Sequence, residues 1–272
     1  MGSAILRGQK VLPRKSATIG ITTTAVDVTV TFYFTAKSTI VIDWGDGSDK
    51  EWYTVTEATN KTHVYATADD YVITVYFNRF TMMGQDNFRL CAFSNDNGII
   101  TSADFKQLTE LTKINSHFGY FTGTLDMTGL VNLTAINLDA FNAATQNITM
   151  VYGDTIFSKL TQFDVDGNQI GNVDYNHFPG ITGSILIDKT NCSALDVSPC
   201  PGVSFIRLDY VITGASINPI LSNSTAMVAF ANTLPDRTGT TAGTIQILDS
   251  TADANARSWI GAICTAKNWE IQ

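Results

Sequence analysis

Short apolar pairs recur along the middle of the chain, roughly every 11 residues between Ile114 and Ile217: Leu125/Met127, Ile136/Leu138, Ile148/Met150, Phe163/Val165, Val173/Tyr175, Ile185/Ile187, Leu195/Val197 and Ile206/Leu208. Two apolar residues separated by one residue, polar in every pair except Ile185/Ile187, match the period of a strand with one face buried, so each pair predicts a short strand. Two such steps make a coil of about 22 residues with two strands. A coil of that size cannot bury its own apolar stripe, so coils must stack and the open ends of the stack need lids.

Every second strand carries a fuller signature. Leu160, Phe163, Val165, Asn168 and Ile170 occupy every fixed position of L-x-x-L-x-L-x-x-N-x-L. Leu133-Thr-Ala-Ile136-Asn-Leu138 repeats its first half with the asparagine one residue late, at Asn142, while Leu111-Thr-Lys-Ile114 and Val203-Ser-Phe-Ile206-Arg-Leu208 are more degenerate. This stretch, residues 111–220, resembles a leucine-rich-repeat solenoid. The gap between Leu160 and Val203 leaves room for a further coil near Ile181, and the long step within 138–160 predicts a loop.

Upstream the pattern changes to alternation, through Val26–Phe34, Thr39–Trp44 and Tyr71–Phe77. These are strands of an antiparallel sandwich. Between them stand Asp43-Trp44-Gly45-Asp46-Gly47-Ser48 and later His63-Val-Tyr65. The set resembles the PKD domain, an immunoglobulin-like module, over residues 18–80. The resemblance implies a tight W-G-D-G turn with glycines at positive φ, Asp46 bonding its own backbone and Trp44 between two sheets. Asp70 stands where that family has a glycine. PKD modules are mostly spacers and adhesion units, so Asp46 and His63 are expected to be structural.

Residues 81–110 show no clean period and are expected to form a junction and first lid, with Phe88, Leu90, Cys91, Ala92 and Phe93 covering the stack. Residues 221–272 are expected to close the far end. Here Met227–Phe230 and Thr244–Leu248 predict strands, and Ala256, Trp259, Ile260, Ile263 and Cys264 predict one face of a helix capped by Ser250 or Thr251. A closing strand follows at Trp269–Gln272. The expected fold is thus mainly β: an N-terminal immunoglobulin-like sandwich, a leucine-rich solenoid and one C-terminal capping helix.

Composition narrows the chemistry. Only 15% of residues are charged, the formal charge is −8 and the pI is near 4.7, which argues against nucleic-acid binding through basic patches. No apolar run approaches a membrane span, and Met1–Arg7 lacks the apolar core of a signal peptide. Cys91, Cys192, Cys200 and Cys264 have no metal-ligand spacing and read as buried thiols, with a Cys192–Cys200 disulfide as the alternative. No cofactor motif is present, and the acidic run Asp164–Asn168 fails as a calcium loop because Tyr175 stands where the bidentate glutamate belongs.

Two surfaces are candidate partner sites. Residues flanking the buried positions of the repeat must point outward, giving a row Asn115, Asn137, Asp164, Arg207, an acidic row His117, Asp139, Asp166, Asp209, and a third of Lys113, Ala135, Gln162, Phe205. The second surface is a basic arm within residues 1–17, carrying Arg7, Lys10, Arg14 and Lys15 before any acid appears. These features predict a non-enzymatic structural or adhesion component of a bacteriophage virion, binding other virion proteins in multiple copies. The alternatives are a bacterial surface adhesin or glycan-binding protein, and a solenoid polysaccharide-cleaving enzyme using Asp164, Asp166 and Asp209.

Overall fold

The structure is a computed structural model that describes residues 15–34, 36–57, 59–77, 81–82, 88–93, 98–115, 121–138, 147–165, 170–187, 191–208, 220–247 and 250–272. The fold is mainly β. Among the described residues the strands form two sheets that both run from the N-terminal half into the C-terminal half.

The N-terminal half is antiparallel. Strands β1 (Lys15–Thr23), β2 (Val28–Phe34), β3 (Ala36–Asp43), β4 (Glu51–Val55), β5 (Thr59–Tyr65) and β6 (Asp70–Phe77) divide between the sheets, β1, β6, β3 and β4 in the first and β2 and β5 in the second. The short β7 (Thr81–Met82) pairs with β3. Their alternation does the sorting. In β6 the buried residues are Tyr71, Ile73, Val75 and Phe77, every second position, as a strand with one wet face requires. Phe32 of the second sheet meets Trp44, at the end of β3 in the first, with ring centroids 5.8 Å apart, so the two sheets face one another across these rings.

Residues 81–110, expected as a junction and lid, instead continue both sheets. Strand β8 (Phe88–Phe93) pairs antiparallel with β2 and parallel with β10 (Lys113–Asn115). Strand β9 (Gly98–Asp104) pairs antiparallel with β1 and parallel with β11 (Phe121–Asp126). One buried apolar core therefore extends from Ala17 to Ile271. The apolar cluster Phe88–Phe93 lies on β8, and its side chains are outside the described residues.

From there the chain climbs in coils. The second sheet continues through β12 (Ala135–Asn137), β14 (Gln162–Asp164), β15 (Ser184–Leu186), β16 (Phe205–Arg207), β17 (Gly243–Gln246) and β18 (Trp269–Ile271), all parallel. β15 is the coil expected near Ile181. On the opposite side only β9, β11 and β13 (Ile148–Val151) pair as strands among the described residues. Val173/Tyr175 and Leu195/Val197, expected as strands, are not. Tyr175 opens a 3-10 turn, Tyr175–His177, and residues 191–197 are irregular.

The repeating unit is a stride of three rather than a pair. Phe105, Leu108, Leu111 and Ile114 form the first such run, Met127, Leu130, Leu133 and Ile136 the next, and Val197, Cys200, Val203 and Ile206 a later one, each at most 1% exposed. Two successive turns bring the first three of each run inward. Leu108 N–H donates to the Phe105 carbonyl at 2.7 Å and Leu111 N–H to that of Leu108 at 2.8 Å, and the 127–133 and 197–203 runs do the same at 2.9–3.1 Å. The turns satisfy backbone that a corner would otherwise leave unpaired. Hydroxyls then stitch coil to coil: Thr134 Oγ1 donates to the Thr112 carbonyl at 3.0 Å, and Thr161 Oγ1 to that of Thr134 at 3.2 Å.

Where strand pairing on the outer side stops, asparagines take over. Asn172 Oδ1 accepts from Ser193 N–H at 2.9 Å and Ala194 N–H at 3.0 Å. The last two coils use helices instead, α1 (Ser224–Thr233) before β17 and α2 (Ser250–Ala266) before β18. Met227–Phe230, expected as a strand, lies within α1, so two helices rather than one occupy the C-terminal region among the described residues. Asn223 caps α1 by accepting from Ala226 N–H at 3.1 Å, and Met227, Phe230 and Ala231 bury one helical face. A four-residue apolar run fits either period. In α2, Ala256, Ile260 and Cys264 are buried at the expected spacing, and the closing strand stands as expected.

Candidate functional site

The parallel ladder fixes a face. Because Ile114, Ile136, Phe163, Ile185, Ile206 and Ile245 point into the core, their strand neighbours point the other way in rows. Register places Asn115 beside Asn137, Asn137 beside Asp164, Asp164 beside Leu186, Leu186 beside Arg207 and Arg207 beside Gln246. The row Asn115, Asn137, Asp164, Arg207 is therefore brought together, with Leu186 and Gln246 added. Sequence reasoning missed these two because their coils depart from the leucine pattern. The signal was nonetheless present, in Ile185 and Ile245 as the apolar residues immediately before them.

The row Lys113, Ala135, Gln162 also holds in register, and Ser184, Phe205, Thr244 and Glu270 continue it. This face is polar with few charges. Asp164 is only 8% exposed, so the row does not present it as a free carboxylate. Of the acidic row, His117, Asp139, Asp166 and Asp209 all lie outside the described residues, as does the Asn115 side chain.

Arg7, Lys10 and Arg14 also lie outside the described residues, but Lys15 does not belong to an arm. It is the first residue of β1, opposite Phe77, and pairs with Glu110, whose carboxyl it holds below its usual range. Ser16 N–H beside it donates to Gln107 at 3.1 Å. The strand thus takes in the last three residues of the expected arm, 15–17.

At the W-G-D-G turn the geometry is tight. Gly45 and Gly47 have φ of 81° and 84°, a region open to glycine, and at Gly45 a Cβ would sit 2.4 Å from the Val72 carbonyl oxygen. His63 stacks on Trp44 with centroids 4.8 Å apart, and its Nε2 lies 2.7 Å from Asp46 Oδ2. Tyr65 donates to the Trp44 carbonyl at 2.7 Å. Burial raises the Asp46 pKa, but hydrogen bonds from Ser48 and His63 outweigh it and bring the carboxyl down to about 2. The Ser48 bond closes the turn on itself, while His63 and Tyr65 tie it to β5 of the opposite sheet, so Asp46 and His63 brace the fold.

The described thiols are poorly placed to act as nucleophiles. Cys192, Cys200 and Cys264 are buried and form no disulfide, and burial pushes their thiols to about 11, 12 and 11. A thiol that stays protonated is inert at neutral pH. Tyr152 is pushed to about 12 by burial and by Asp174. His177 Nδ1 lies 2.8 Å from the Thr155 carbonyl, and its ring packs on Tyr152. No group of His, Cys, Asp and Glu suited to a metal occurs among the described residues. No helix there is long and apolar enough to cross a membrane.

No family model matches the chain, and no curated protein or solved structure matches it either.

Proposed function

We propose that the chain is a PKD-like, immunoglobulin-type sandwich continued by a leucine-rich-type solenoid, and that it works as a non-enzymatic structural or adhesion component of a bacteriophage virion. The single observation that carries this reading is the outward face of the parallel ladder. It is an array of mostly Asn, Gln, Ser, Thr and single charges, with Ala135, Leu186 and Phe205 among them, in fixed register over seven strands from β10 to β18. Such a face suits a broad protein contact, since repeat arrays bind through the extended surface their register creates.

Buried, protonated thiols fit a chain that folds under reducing conditions. The face has no pocket-bound nucleophile and base pair among the described residues, which favours contact over turnover. The bacterial surface adhesin remains the second reading, because the same sandwich and solenoid would serve a cell surface equally well. Imaging of particles purified from the producing culture separates the two. Density for a two-sheet rod at fixed positions on the particle is the expected result, and finding the chain on the cell envelope but not on particles would replace the virion with the adhesin. An enzymatic role for Asp164, with Asp166 and Asp209, is tested by glycan turnover assays, in which activity lost on Asp166→Asn would overturn the non-enzymatic reading.

A further inference from the structure

We draw no further inference here: the strongest candidate, the aromatic patch on the outward face of the first sheet where Trp52 of β4 and Tyr76 of β6 flank Val41 of β3 in register, carries none because nothing in the structure shows what covers it.

Discussion

The antiparallel and parallel halves share their sheets but are held by different means. In the antiparallel half, eight residues of β1, Lys15–Thr22, pair in register with Asp70–Phe77 of β6, so main-chain bonds run the full length of the strands. In the ladder the inner strands are three residues long. Strands that short bring few main-chain bonds each. The ladder depends instead on apolar residues at a stride of three, on i to i+3 turns, and on Thr and Asn side chains that bond across coils. Pairing length specifies one half, and stacked corners specify the other.

The largest test of that contrast is Phe163→Ala. Phe163 is fully buried, within 5.8 Å of the Tyr175 ring and 5.2 Å of that of Phe178. Removing it should cost about 3–5 kcal/mol. Since coils are supported by nearest neighbours, hydrogen exchange should accelerate across residues 121–208 while β3, β4 and β6 keep their protection. Equal acceleration in both halves would show that the ladder is not a locally stabilised stack.

Next is Gly123→Ala. Gly123 has φ of 149°, and a Cβ there would stand 1.7 Å from the Thr101 carbonyl oxygen, at the irregularity where β11 joins β9. Backbone strain alone should cost ~1–3 kcal/mol, and the clash adds to it. Urea denaturation reads this directly. A loss as small as that from a glycine-to-alanine change at Gly129, where the space is open, would mean that the first sheet does not need this close approach.

A gain is expected at Tyr175→Phe. The Tyr175 hydroxyl is fully buried and has no hydrogen-bond partner among the described residues, and burial holds its pKa well above the ordinary value. A polar atom buried without a partner costs stability, so deleting it should raise the midpoint of unfolding by the equivalent of about 1 kcal/mol. An unchanged or lower midpoint would reveal a partner for the hydroxyl.

The two halves were also unequally legible in the sequence. Strict alternation in Tyr71–Phe77 marks β6, and the Trp44–Gly47 turn marks the neighbouring corner, because a strand with one wet face leaves a period of two. Pairs such as Ile136/Leu138 located the ladder and gave the row Asn115, Asn137, Asp164, Arg207 its register. The pairs at Val173 and Leu195 misled, since an apolar residue two positions before the head of a buried corner has the same spacing as a strand: Tyr175 heads the run to Phe178 and Ile181, and Val197 the run to Cys200 and Val203. The helix at Ser224–Thr233 was hidden by a run too short to show its period. Continuity of both sheets through β8 and β9 depends on long-range pairing with β2 and β1, which no local pattern encodes.

The smallest effect separates two turns of the same chemistry, one from each half. Asp46 accepts from Ser48 N–H at 3.0 Å in the antiparallel half, and Asp174 accepts from Asn176 N–H at 3.0 Å in the ladder. Both carboxyls are held below the ordinary value, Asp46 down to about 2 against the rise that burial causes, and Asp174 chiefly by the Asn176 backbone and side-chain hydrogen bonds. A depressed carboxylate stabilises the fold above its unfolded pKa, and that contribution fades as pH falls through the folded value. For Asp46 the window runs from about pH 4 down to about pH 2. Its side chain is 22% exposed and engaged by His63, whereas that of Asp174 is 56% exposed and its nearest His177 nitrogen is 3.8 Å away. Solvent screens the second far more than the first. Asp46→Asn keeps an acceptor for Ser48 but cannot titrate, so it should flatten the acid limb of the stability curve below pH 4. Asp174→Asn should leave that limb as it is. If the two substitutions flatten it equally, His63 contributes nothing to the turn, and the brace between Trp44, Asp46 and His63 reduces to the stacking of its rings.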